Sequence, residues 1–117
     1  MGARAVWAVP AAFVSMMIVG GLLGMGGIAL PFVEIMIVAS VFVFAGFVVA
    51  RVKMPIWSGL AIVGLFALAH GHAHGAEMPA LVNMWVYGAG FVAATSLIHA
   101  LGAIAAQMLM KMKTVWV

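Results

Sequence analysis

Residues 56–79 read IWSGLAIVGLFALAHGHAHGAEMP. The stretch begins as near-continuous hydrocarbon and ends in His70, His72, His74 and Glu77. These are three of the chain's four histidines and one of its two acidic residues. A helix needs about 20 apolar residues to cross about 30 Å of hydrocarbon, and residues 56–74 supply such a run. Its ionisable groups then collect at one end of a membrane span, just ahead of Pro79.

Three runs of the same kind flank it, at residues 5–25, 31–50 and 80–109. Of the 117 residues, 68% are hydrophobic and 6% charged, and the mean hydropathy is +1.34. A soluble domain of this size needs far more charge to stay dissolved, so the composition points to lipid as the solvent. The expectation is an all-α polytopic membrane protein: a compact bundle of four transmembrane helices forming one domain over residues 1–117. Pro31, Pro55 and Pro79 each stand near a helix start, where a missing N–H costs little. The first run is too long for the apolar part of a signal peptide, and no clean small-x-small cleavage site follows it.

The charges orient the bundle. Arg4 precedes the first run, Arg51 and Lys53 join the second to the third, and Lys111 and Lys113 follow the fourth. The other two connections carry no Lys or Arg. By the positive-inside rule both termini and the middle connection are cytoplasmic. Glu34, the histidine cluster and Glu77 then face outward. Five basic residues spread this thinly form no basic face, so nucleic acid is not an expected partner. With no cysteine there is neither a disulfide framework nor a thiolate site.

Small residues recur four apart, at Gly20/Gly24, Gly46/Ala50, Gly71/Gly75, Gly90/Ala94 and Gly102/Ala106. Such spacing lets helices approach closely in lipid. Trp7, Trp57, Trp85 and Trp116 suit interfacial anchoring. The eleven methionines show no M-x-x-M spacing and read as packing or lipid-facing residues.

The polar groups have two readings. If the third helix continues, His70, His74 and Glu77 fall within roughly 60° of one face, and His72 points the other way. Two imidazoles and a carboxylate suit a borderline divalent metal such as Ni, Co or Zn. If the glycines unwind the segment, the same ligands wrap an ion as His-x-His-x-His. The plainer reading is a solvated interfacial cluster, but ionisable groups at membrane depth are expensive and mark pathways. Farther along, Thr95, His99 and Gly102 share a small and polar stripe with Gly88 and Ala106, read as bundle-facing. His99 is either a lone hydrogen-bonded histidine or a second station for an ion. Glu34 lies in the first turn of the second helix, where a carboxylate complements the dipole. Asn83 and Tyr87, about 40° apart, offer oxygen ligands or supporting hydrogen bonds.

GLFALAHGHAHGAEMP, residues 64–79, resembles the second signature of the HupE/UreJ family of hydrogenase and urease accessory membrane proteins. Tyr87, Gly90-Phe91, Thr95, Leu97-Ile98-His99 and Gly102 resemble that family's next helix. ALPFVEIMIVASV, residues 29–41, resembles its LP-x-VE helix, and RAVWAVPAAF, residues 4–13, the helix before it. The resemblance implies a secondary permease for Ni2+ or Co2+ that feeds metalloenzyme maturation. It implies a metal path through His70, His74 and Glu77, with Glu34 and His99 as further candidates. The ion is cargo, and no permanently bound cofactor is expected. Family members usually begin with a signal sequence or extra helix and then a His-Pro…Gly-x-Asp-His motif. This sequence has neither and contains no Asp. It therefore reads as a fragment, a truncated gene product, or a minimal member that dimerises to rebuild the path.

Two other functions stay open. One is a membrane accessory subunit that binds metal without moving it. The other is a small proton-coupled multidrug-type exporter, although such proteins place the key acid in the first helix, where this chain has none. Four helices leave little room for a closed pore, so a homo-oligomer joins the divalent ion and the bilayer as an expected partner. An enzyme is not expected, because Glu34 and Glu77 leave no spare acid–base pair.

Overall fold

The computed structural model describes residues 3–50 and 52–116. They form four helices: α1 (Ala3–Met25), α2 (Val33–Ala50), α3 (Ile56–Ala76) and α4 (Met84–Trp116). No strand occurs among the described residues. Of the five basic topology markers, Arg51 lies outside the described residues, as do the side chains of Arg4 and Lys113.

The chain is an all-α polytopic membrane protein. Val6–Met25, Ile56–Ala76 and Met84–Met112 are each long and apolar enough to cross a bilayer. In α2 the described apolar run is shorter, Val33–Phe47, and the whole helix of 18 residues is about 27 Å long. Large apolar side chains cover the outside of the helices: Trp57 is 77% exposed and Phe42 73%. In water that surface would aggregate; in lipid it is the solvated face.

Small residues make the core, as helix packing in lipid requires. The buried apolar residues include Met17, Ala67, Ala69 and Ala103. α1 and α3 form the central pair and run parallel, with α2 against α3 and α4 against α1. A Cβ on Gly20 would land on the Leu68 carbonyl oxygen, and one on Gly24 on that of His72. In return, Gly71 presses on Met17 and Gly75 on Gly21. The Gly20/Gly24 and Gly71/Gly75 pairs therefore form a backbone-to-backbone seam. The other expected pairs do not behave so: a Cβ on Gly46, Gly90 or Gly102 meets nothing within 4 Å.

α1 starts at Ala3 where the sequence reading had 5, and α4 runs on to Trp116 where it had 109; three further boundaries differ, each for a local reason. α1 ends in a Schellman turn: Gly27 (φ 75°) lets Ile28 N–H reach Leu23 O at 3.0 Å and Gly27 N–H reach Gly24 O at 3.2 Å. Phe32 then takes φ 61°, so α2 begins at Val33 and not at 31. α3 runs past His74 to Ala76. After it, Pro79 to Val82 forms a turn closed by Val82 N–H on Pro79 O at 3.2 Å. This delays α4 to Met84, where the sequence reading had it start at 80.

Candidate metal-ion site

Because α3 continues to Ala76, His70, His72 and His74 all lie on regular helix. The last carbonyls of a helix lack partners within it. Here Ala73 O accepts from Glu77 N–H at 3.1 Å and Gly75 O from Met78 N–H at 3.3 Å. His74 O lies between them in sequence and accepts from the Tyr87 hydroxyl of α4 at 2.8 Å. Tyr87 thus closes the helix end and ties α4 to the backbone of a histidine.

One helical turn brings His70 and His74 together. Their Nε2 atoms are 3.1 Å apart, and their rings meet edge to face at 4.6 Å between centroids. In the metal-free pair one Nε2–H donates to the other nitrogen. Both nitrogens therefore sit within one ion's reach of each other. At a metal–nitrogen distance of about 2.0–2.1 Å, two adjacent imidazole donors are about 2.9 Å apart at 90° and about 3.3 Å apart in a tetrahedron. The observed spacing falls inside that range. Aromatic rings wall the pair: Phe91 stacks on His74 at 5.7 Å, and Phe13 lies against His70 at 5.7 Å.

His72 points away from the pair, as its position on the helix requires. It is buried at 9% exposure, and its Nε2 lies 2.6 Å from Ile28 O. As the donor in that bond it holds the α1–α2 connection onto α3. Its Nδ1 is buried without a hydrogen-bond partner among the described residues.

The remaining sequence candidates are placed as follows. Glu77 is the C-cap of α3, with φ −88° and ψ 0°, so the helical extrapolation that put it on the histidine face stops one residue short. Its side chain is exposed. Glu34 is exposed in the first turn of α2, where the dipole favours it. Asn83 caps α4, its Oδ1 accepting from Trp85 N–H at 2.9 Å and Val86 N–H at 3.2 Å. Thr95 is half-buried on α4. Among the described residues, no three His, Cys, Asp or Glu side chains converge closely enough to hold an ion.

His99 lies nearer the pair than a reading of α4 alone suggests. α4 runs antiparallel to α1: Gly88 lies against Met25, Gly21 against Phe91, and Phe13 against His99. The Phe13 and His99 ring centroids are 4.6 Å apart. Phe13 touches His70 as well, so the two imidazoles are at most about 10 Å apart. The expected stripe on α4 is corrected at one position. Gly102 is exposed and Ala103 is the buried residue, at 5%, because the contact line follows the crossing with α1. Phe13 and Phe91, which frame the histidines, were not picked out as site residues. Neither carries a polar signal, and only the helix register reveals them.

A small helical membrane protein with a paired imidazole site near one end of its central helix is the class that fold and site define. Comparison with known proteins narrows it. The profile of the HupE / UreJ protein family matches residues 1–117, and the chain belongs to that family. Protein HupE of Rhizobium leguminosarum bv. viciae is 48% identical over 102 residues, covering 87% of this chain and 53% of the relative. The chain thus spans about half the length of that curated relative. No solved structure matches it significantly.

Proposed function

We propose that the chain forms part of a secondary permease that carries Ni2+ or Co2+ across the bacterial inner membrane toward hydrogenase or urease maturation, with both termini cytoplasmic. Membership of the HupE/UreJ family supports this reading. The single observation that carries it is the 3.1 Å separation of the His70 and His74 nitrogens, which matches the bite of one ion. Imidazole is a donor suited to nickel, cobalt and zinc. Two protein donors leave most coordination positions open, so an ion held there exchanges. That suits passage better than storage.

Glu77 marks the outer mouth in this reading. A carboxylate at a helix C-terminus is opposed by the dipole, so the helix gains nothing from it. Next to an incoming cation it becomes useful. Glu34, at the same end of the bundle, adds to the attraction although its dipole gives it a structural role too. Tyr87 and Thr95 lie along the α4 side of the route, and Asn83 sets where α4 begins.

The test is nickel uptake by cells expressing the protein. His74→Ala is expected to abolish uptake while the protein stays in the membrane. Unchanged uptake refutes the proposal. An accessory subunit that binds without transport would bind nickel in proteoliposomes and show no flux. The proton-coupled exporter finds little support, since Glu34 and Glu77 are both exposed at helix ends, whereas that mechanism uses a buried acid.

A further inference from the structure

We propose that the flank where α1 meets α4 seats a second copy of the chain, paired α4 to α4 about a two-fold axis along the membrane normal, with Ser96 and His99 hydrogen-bonding across the contact.

The two helices leave a groove along their whole boundary. A cavity of about 270 Å³ is lined by Ile18, Leu22 and Met25 of α1 and by Trp85, Ala89 and Val92 of α4, among others. A second, of about 370 Å³, is lined by Trp7, Ala11 and Val14 against Ser96, His99 and Ala100, among others. Val14 and Ile18 are one turn apart on α1, as Val92 and Ser96 are on α4, so the cavities lie end to end. From Trp7 to Met25 the groove is about 27 Å long, close to the roughly 30 Å of hydrocarbon in a bilayer. Its length is that of a transmembrane helix. It opens to the outside of the bundle, where Trp7 is 47% and Leu22 53% exposed.

An acyl chain satisfies the apolar half of the groove, near Met25 and Trp85. The half near His99 is different. Ser15 there satisfies itself by donating to Ala11 O at 2.7 Å. Among the described residues no hydrogen bond reaches the Ser96 hydroxyl or a ring nitrogen of His99, and the Phe13 ring against His99 offers those nitrogens no partner. Ser15 lies nine residues, about 14 Å, inside the Val6–Met25 span. These polar groups therefore sit near the middle of the bilayer, beyond the reach of headgroups. Acyl tails have no hydrogen bond to give them, whereas a neighbouring helix does.

The chemistry of the groove points to a copy of itself. Serine carries a donor and an acceptor, and neutral histidine does likewise, so the two together are self-complementary. A two-fold axis brings the Ser96 hydroxyl of each copy to the other copy's His99, one turn along. Both pairs are then satisfied at once, as an isologous contact requires. The surface permits the approach. Ala89, Ala93, Ser96 and Ala100 fall within about 60° of one face of α4, and small residues there let two helix backbones come close. Ala89 and Ala93 are exposed and uncovered within the single chain.

The chain contains no cysteine, so single introduced thiols report the contact. Ala93→Cys and Ala100→Cys put a thiol from each copy on it, where Cα atoms within about 7 Å can be bridged. Ile98→Cys and Leu101→Cys, at positions exposed on other sides of α4, are the controls. Under mild oxidant in native membranes, the first two are expected to cross-link at least about tenfold faster than the controls. Energy transfer between labelled copies in phosphatidylcholine vesicles, followed as lipid is added, gives the association constant. Ser96→Ala is expected to lower it about eightfold, the effect of losing two interhelical hydrogen bonds. Equal cross-linking at all four positions, or no measurable association in vesicles, overturns the pairing and leaves the groove to a different helix or to lipid. Association unchanged in Ser96→Ala overturns the hydrogen-bonded contact. No readout involves nickel, so the outcome is separate from that of the permease reading.

Discussion

The seam between α1 and α3 makes a sharp prediction about Gly71. A Cβ there would meet the Met17 carbonyl oxygen, carbonyl carbon and Cα, all backbone atoms. No side-chain rotation relieves the overlap, so Gly71→Ala forces the two helices apart by about an ångström. Overpacking of this kind costs about 1–3 kcal/mol. Part of that is lost dispersion along the whole seam, because the neighbouring contact of Gly75 with Gly21 opens as well. Gly46→Ala is the matched control. Its Cβ meets nothing within 4 Å, and in a helix Ala is favoured over Gly by up to about 1 kcal/mol, so the control should be neutral or stabilising. Reversible unfolding in mixed micelles, monitored by helical circular dichroism, measures both. Gly71→Ala should fall below wild type by about 2 kcal/mol, or about thirtyfold in the folding equilibrium. If Gly71→Ala and Gly46→Ala lie within about 0.5 kcal/mol of each other, the backbone seam is not what holds the bundle.

Tyr87→Phe removes the donor that satisfies His74 O and should lower stability by about 0.5–1.5 kcal/mol in the same assay. Nickel affinity measured by calorimetry should weaken with it, since the backbone of a ligating histidine loses its tether; an unchanged affinity would limit Tyr87 to stability. Nickel binding should also be pH-dependent in a definite direction. Only unprotonated imidazole ligates, and the reference imidazole titrates near pH 6.5, so binding is full above that range and falls as the pH drops through it. With two histidines involved, affinity should fall by up to about a hundredfold per pH unit well below pH 6. Affinity that stays unchanged well below that range would refute imidazole ligation.

The parts legible in the sequence were those with a strict local geometry. His70 and His74 are four apart, so any helix through them makes them neighbours, and they are. The apolar runs gave four helices because lipid thickness fixes their length. Sidedness within the helices was much less legible. In a bilayer both the lipid face and the core face are apolar, so periodicity does not separate them. This is why five small-residue pairs looked equivalent and only Gly20/Gly24 and Gly71/Gly75 meet a partner backbone. Glu77 lies one residue past the end of α3 at Ala76, where a helical wheel no longer fixes its side chain, and among the described residues it does not join the two histidines as a third ligand. The neighbourhood of His99 depends on how α4 crosses α1, and no local pattern encodes a crossing between the first and last helices.

The repeated His-Gly step explains why these two residue types alternate. Gly71 and Gly75 follow His70 and His74 directly, each rotated about 100° from the imidazole before it. The glycine face takes α1 at backbone contact, and the histidine face therefore turns toward Phe13, Phe91 and Tyr87. His72, on the third side, fastens the α1–α2 connection through Ile28 O. The helix is thus held at two of its faces, by backbone contact at the glycines and by the His72 hydrogen bond, and the third face is left to carry the imidazole pair. Ligand geometry in such a site depends on helix position more than on side-chain packing around the ligands. A change at Gly71 that touches neither histidine should then weaken nickel binding along with stability. A change at an exposed glycine such as Gly90 should alter neither.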